Sequence, residues 1–339
     1  MRRTIRFAAV LAALLAATPA ESLLAQSKKK KAAARRPATV SLDAKVVNDS
    51  ATAPIVKRGS AGGGVLRAQV LLDRARFSPG EIDAAFGGNV EKAVAGFQKA
   101  RGIEPTGVVD AATWKLLNAD AAPVLVSYAI TAADVAGPFQ AVPEDMMEKA
   151  KLPALGYSST LEAFAERFHA SPKLLGRLNP GSSFTRSGEE IVVPSVRSSA
   201  PPKAARIVVD DSDRTVSAWG DGDKLIAQYP ATTGSEHDPL PVGSWKINGV
   251  SRNPTFHYNP DLFWDADESH AKAKVPAGPN NPVGVVWIDL SKPHYGIHGT
   301  PEPATIGKTQ SHGCIRLTNW DAAELAEMVA PGLPAVLQE

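Results

Sequence analysis

Apolar positions change their spacing along this chain, and each change predicts a different kind of element. Val65, Leu66, Val70, Leu71 and Leu72 recur at helical intervals, and Val90, Val94 and Phe97 form a second stripe of the same period. Ser78-Pro79-Gly80-Glu81-Ile82-Asp83 carries the marks of a helix start with proline at its first position. Thr106-Gly107-Val108-Val109-Asp110 predicts a turn whose Asp110 caps a helix bearing Trp114, Leu116 and Leu117. A small three-helix domain over 64–120 follows. Across 124–195 the order becomes strand, helix, helix, strand. Tyr128-Ala129-Ile130 opens it, Thr160–Phe168 is its first helix, Pro172–Gly181 a second helix ending in a turn, and Gly188–Pro194 closes it with a strand.

From Arg206 the period falls to two. Arg206–Asp210 and Thr215–Trp219 flank a polar turn. Leu225–Tyr229, Gly243–Val250, Val283–Leu290, Tyr295–His298 and Ala335–Leu337 extend the series, with one helix at Asp321–Val329. Short strands, Gly/Pro turns and a single helix predict a mainly-β, sandwich-like domain over 204–338, as a β-sandwich or a barrel-like sheet. The fold class is therefore multidomain α+β, and 339 residues leave room for such a division.

The N-terminus has no such period. Arg2, Arg3 and Arg6 precede an apolar run from Phe7 to Ala17, followed by Thr18-Pro19-Ala20. That order predicts a signal peptide over 1–25 and export to the periplasm. The run is too short to span a bilayer, and no other stretch is long enough. Residues 26–63, rich in Lys, Ala, Pro and Gly, predict a disordered basic linker.

Charge follows this division. Ser27 to Gly59 holds nine Lys/Arg against Asp43 and Asp49, while the whole chain is only +2. Residues 60–339 therefore carry about −7, which argues against a nucleic-acid-binding core.

Cys314 is the chain's single cysteine. An exported protein uses cysteines in pairs for disulfides, so one without an internal partner points to a reactive thiol. It lies in Ser311-His312-Gly313-Cys314-Ile315-Arg316, sixteen residues after His298 of Tyr295-Gly296-Ile297-His298-Gly299-Thr300. A thiol with a neighbouring imidazole is the pairing for acyl transfer. The Gly299 carbonyl can fix the His298 ring, and the N–H groups of His312, Gly313 and Cys314 can form an oxyanion hole. Arg316 suits either a substrate carboxylate or a structural ion pair. A zinc site built from His298, His312, Cys314 and His294 is the rival, but its spacing fits no usual zinc pattern. His169, His237, His257 and His270 read as surface or hydrogen-bonded residues. No phosphate loop or dinucleotide motif is present, and no cofactor is expected.

The motifs of residues 298–316 resemble the catalytic signature of the L,D-transpeptidases. Thr233-Gly234, Pro239-Leu240-Pro241-Val242-Gly243, Asn253-Pro254-Thr255-Phe256 and Pro276–Gly284 carry the same resemblance, which covers nearly all of 204–338. It implies a periplasmic enzyme in which Cys314 attacks the L-to-D linkage of a tetrapeptide stem, with His298 as base. D-alanine leaves, and the acyl group passes to an amine. Ser311, His312, Gly313 and Gly299 would shape the site, and Arg316 and Tyr295 would bind substrate. Water as acceptor implies carboxypeptidase activity, and an envelope protein as acceptor implies attachment to the wall. Pro254–Pro276 resembles the family's lid, without roles for its residues.

Residues 64–120 resemble a peptidoglycan-binding helical domain, through Asn89–Gln98, Gly102–Asp110 and Thr113-Trp114. Residues 124–195 are similar to the lysin-motif glycan-binding module, through Leu178-Asn179-Pro180 and Ile191–Pro194. Peptidoglycan is thus the implied partner, and an inactive wall-binding protein is the reading of another class.

Overall fold

The computed structural model describes residues 42–339. The signal-peptide expectation, with the first part of the basic linker, lies outside them. The rest of that linker does not behave as expected. Ala44–Asn48 forms helix α1, capped by Asp43, and Val47 and Val56 are buried. Three ties explain why. The Trp114 indole N–H donates to the Pro54 carbonyl at 2.7 Å, Val56 pairs with Val109, and Arg67 donates to the carbonyls of Val47 and Asn48. Every one of those partners lies in the helical region, so local composition carried no sign of them.

Helices α2 (Gly63–Arg74), α3 (Gly88–Ala100) and α4 (Ala111–Leu117) follow. Asp110 caps α4 through the Thr113 N–H at 2.9 Å. Gln98 holds the preceding turn, donating to the Val108 carbonyl and accepting from the Gly107 N–H. The helix predicted to start at Ser78 is absent. Gly80 has φ +74°, Phe77 bridges Gln228 and Ile82 bridges Ala170. Proline at a first helical position needs four following residues free to turn, and here the backbone bonds outward instead.

Strand β1 (Leu125–Ala129) pairs antiparallel with β2 (Glu190–Pro194). Between them lie α5 (Met146–Lys149), α6 (Thr160–Arg167) and α7 (Pro172–Leu178). Ser159 and Ser171 cap α6 and α7, with Pro172 in the first turn of α7. One hydrophobic core runs from Val47 to Val193, through Leu66, Phe97, Phe164 and Leu174, while Leu155 and Met146 of α5 pack apart from it, against Tyr258 and Val275.

The remaining strands are β3 (Arg206–Asp210), β4 (Thr215–Gly220), β5 (Lys224–Pro230), β6 (Gly243–Arg252), β7 (Phe256–Tyr258), β8 (Ala273–Val275), β9 (Val286–Leu290), β10 (Gly296–His298), β11 (Ile315–Arg316) and β12 (Pro334–Gln338). Helix α8 (Asn319–Met328) precedes β12. Eight of them form one sheet in the order β11-β10-β9-β6-β12-β3-β4-β5. Of the two expected forms, sandwich or barrel-like sheet, this is the second: the eight strands form one continuous sheet that closes on a shared core. The long strand β6 spends residues 243–246 on β12 and the rest on β9, with a bulge between Ile247 and Gly249. A bulge bends a strand and increases its twist. The sheet curls far enough that Thr232, just past edge strand β5, bridges Arg316 of the opposite edge strand β11. Its apolar face packs on α8 around Ile207, Ile288, Ile297 and Leu325.

Candidate active site

Strands β10 and β11 are parallel neighbours with Ile297 opposite Ile315 and His298 opposite Arg316. Continuing the register places Cys314 opposite Gly296. Side chains alternate along a strand, so His298, Cys314 and Arg316 share one face while Ile297 and Ile315 point into the core. Strand spacing and rise put the Cα atoms of His298 and Cys314 about 8 Å apart, within side-chain reach. All three line one cavity of about 1280 Å³.

His298 is buried, and its ring stacks on Trp287 with centroids 5.5 Å apart and planes at 16°. Its Nδ1 lies 2.7 Å from the Gly299 carbonyl oxygen. A carbonyl only accepts, so Nδ1 carries the hydrogen and Nε2 keeps a lone pair. Burial, reinforced by the Arg316 charge, pushes the imidazole down to about 3, so it is neutral at ordinary pH. Burial also pushes the Cys314 thiol up, opposed by the Gly296 N–H and the Arg316 guanidinium. At rest the pair is therefore thiol and neutral imidazole. The thiol is half-buried and sits 3.8 Å from the His294 carbonyl oxygen.

Ser311 is buried; its hydroxyl donates to the Cys314 carbonyl at 2.6 Å, tying the turn closed. Gly313 has φ +91°, and a Cβ there would lie 2.9 Å from Tyr295 Cε1, so the Tyr295 ring occupies the room a side chain would need. The N–H groups of His312 and Gly313 find no acceptor among the described residues. Arg316 takes part in no ion pair among them either, although its backbone is held by Thr232 on both sides. Gly299 packs against the Asn319 side chain, where a Cβ would approach Oδ1 to 2.2 Å.

His312 lines the same cavity and has partners of its own. Its Nε2 lies 2.8 Å from Asp265 Oδ1, and its ring meets Phe263 edge-on at 5.2 Å. Both partners belong to the β7–β8 hairpin over 254–276, which covers Cys314. The hairpin is fixed at a second point, where His270 bridges Tyr258 and Asp145 at 2.9 and 2.8 Å. Among the described residues no cluster of three or more His, Cys, Asp or Glu is placed to hold a metal, although His294, His298, His312 and Cys314 all line the one cavity.

Sequence reasoning missed Trp287, Asp265, Asn319 and Asp238. Trp287 carried a faint signal, as a strand residue out of step with its buried neighbours Val286 and Ile288. The others had none, because their partners are distant in sequence.

Residues 204–337 match the model of the L,D-transpeptidase catalytic domain, and residues 61–117 that of a putative peptidoglycan binding domain. A protein described as a putative L,D-transpeptidase, YkuD of Bacillus licheniformis, is 34% identical over 175 residues, covering 51% of this chain and 90% of its own length. The chain belongs to the L,D-transpeptidase family. YkuD of Bacillus subtilis is 31% identical over 175 residues, with the same coverage. The probable L,D-transpeptidase YbiS of Escherichia coli K12 is 28% identical over 185 residues, 52% of this chain and 59% of its own. Among solved structures, an L,D-transpeptidase from Xylanimonas cellulosilytica overlaps 83% of this chain and 96% of its own at 16% identity and a TM-score of 0.35. A score that low leaves the fold to rest on this chain's own strands and registers.

Proposed function

We propose that this L,D-transpeptidase cross-links peptidoglycan through a thioester on Cys314. One observation supports this above the rest: the β10–β11 register sets His298, Cys314 and Arg316 on a single face of one cavity. His298 Nε2 takes the thiol proton as sulfur attacks the carbonyl carbon of the tetrapeptide's L-to-D linkage. The free N–H groups of His312 and Gly313 receive the developing oxyanion. The imidazolium returns its proton to the departing D-alanine nitrogen. An amine then attacks the thioester, the carbon–sulfur bond breaks, and Cys314 is restored. Arg316, a cation with no carboxylate partner, binds a stem carboxylate as a fork, with Tyr295 packed beside the turn.

The helical domain and the lysin-motif-like module would hold the enzyme on the wall, the first through peptide or glycan and the second through glycan. Such a substrate places the protein outside the cytoplasm, in the periplasm if the N-terminus directs export; no described helix is long and apolar enough to cross a membrane.

The test is covalent labelling with a carbapenem, followed by mass spectrometry of products from purified disaccharide-tetrapeptide. Wild type should gain one acyl adduct and Cys314→Ala none, and cross-linked dimer should accumulate. An unlabelled wild type that leaves the tetrapeptide intact defeats the proposal in favour of a wall-binding scaffold. Tripeptide alone would make the enzyme a carboxypeptidase.

A further inference from the structure

Asp238 lies on the tight loop after β5 and lines the same cavity as Cys314. The loop is rigid where it carries this residue. The Asp238 N–H donates to the Ser235 hydroxyl at 3.1 Å, its carbonyl accepts the Ser235 N–H at 2.9 Å, and Gly234 packs so closely that a Cβ would lie 2.5 Å from the Asp238 carbonyl. Gly234 and Thr233 also accept from the Ser311 N–H, so the loop is tied to the nucleophile's own turn. The Oδ2 atom of Asp238 is buried and has no hydrogen-bond partner among the described residues. Buried carboxylate oxygens are normally satisfied, and this one belongs to a residue that lines the substrate cavity.

The cations of the cavity do not satisfy that oxygen. Lys292 lies over the rings of Trp245 and Tyr295 at 5.6 and 5.7 Å, and neither it nor Lys274 nor Arg316 forms an ion pair with Asp238. The charge is nonetheless felt at the reacting atoms: Asp238 opposes ionisation of both Cys314 and Tyr295, whereas Arg316 favours ionisation of Cys314. The thiol therefore stands between a cation and an anion. Arg316 suits a donor carboxylate, which leaves the anion for a positive group.

We propose that Asp238 binds the ammonium group of the incoming acyl acceptor and sets the enzyme's preference for a primary amine over water. The assignment rests on the transpeptidase reading above. The bound ammonium sheds one proton to water in the open cavity, its nitrogen bonds to the thioester carbonyl carbon, the carbon–sulfur bond breaks, and the second proton passes to the departing sulfur. A protonated amine is a poor nucleophile but an abundant one at neutral pH, so a carboxylate raises its local concentration where deprotonation and attack must follow.

The experiment compares the full chain with Asp238→Asn and Asp238→Glu, using disaccharide-tetrapeptide as both donor and acceptor. Acyl-enzyme, dimer and tripeptide are each followed by mass spectrometry. Asp238→Asn should form acyl-enzyme no more slowly than wild type, because removing the anion eases thiol ionisation. Its dimer formation should fall at least ~10-fold, the effect of one charge-assisted hydrogen bond, with tripeptide taking the difference. Asp238→Glu should recover part of the dimer. Dimer within twofold of wild type in Asp238→Asn overturns the assignment alone. So does an equal fall in acylation and transfer, which marks a structural role, or slowed acylation with normal transfer, which moves Asp238 to the donor side. A wild type that forms no acyl-enzyme defeats the transpeptidase reading and this assignment with it.

Discussion

Arg197→Met is the sharpest test of how the helical body is joined to the sheet. Arg197 lies between them and is only 5% exposed, against Asp73 and Asp321 at 0% and Glu324 at 8%. It pairs with Asp73, with Asp321 at 2.6 Å and with Glu324 at 3.0 Å. Asp73 comes from α2, whereas Asp321 and Glu324 come from α8. Methionine keeps most of the volume but leaves three buried carboxylates with one arginine, Arg76 at 3.2 Å from Glu324, and with hydrogen bonds from His169 and the residue-197 N–H to Asp73, from Ser78 to Asp321 and from Tyr229 to Glu324. Removing one partner of a buried ion pair costs about 3–5 kcal/mol, mostly by stranding the opposite charge. At roughly 2–4 °C per kcal/mol for a large domain, Tm should fall by about 6–20 °C at pH 8.

The loss should shrink at low pH. In wild type Arg197 and His169 hold the Asp73 carboxyl down to about 2, despite its burial. A depressed carboxyl stabilises the fold above its unfolded value near 4 and loses that contribution as pH falls toward 2. Without Arg197 the stranded carboxylates take up protons instead, so the variant's deficit should be largest at pH 8 and smaller near pH 5. Urea titration monitored by tryptophan fluorescence at both pH values measures it. A deficit under about 1 kcal/mol, or one independent of pH, refutes the claim that this cluster holds the two bodies together.

Carbapenem acylation should show no acid limb between pH 5 and 8, since His298, held near 3, stays neutral throughout; a limb centred near 6.5 would mean that His298 takes up its proton in the ordinary imidazole range. Gly313→Ala should cut acylation at least ~10-fold, because φ +91° and the 2.9 Å approach to Tyr295 both oppose a Cβ; stopped-flow acylation within twofold of wild type counts against the turn geometry. Burial, with Glu162, Glu81 and Asp321 nearby, pushes Glu166 up to about 8, against the Asn319 amide that donates to it at 3.1 Å. A raised carboxyl loses stability as pH climbs from its unfolded value near 4.5 through 8, so Glu166→Gln should raise Tm more at pH 8.5 than at pH 5. Equal Tm changes at both would show that Glu166 is not buried in its neutral form.

What the linear chain determined about this protein is what depends on neighbours within a few residues. The Asp110 and Ser159 caps, the alternation of β3 and β4 and the Gly–Cys turn are of this kind, since periodicity, capping and left-handed backbone are local properties. The Cys314–His298 pairing was legible for a similar reason: sixteen residues suffice to bring parallel strands β10 and β11 side by side. Tertiary structure decided the rest. Residues 42–63 looked like a tether until Trp114 and Val109 gave them partners, and the helix expected at Ser78 lost its backbone to Gln228 and Ala170. Between a sandwich and a barrel-like sheet the choice fell to one curled sheet, whose long strand β6 pairs with β12 along one half and β9 along the other. Asp265, Asp238, Trp287 and Asn319 came to the candidate site only through the fold. Hydrogen bonds and charges act over a few ångströms in space, and a folded chain brings together residues that no spacing in its sequence connects.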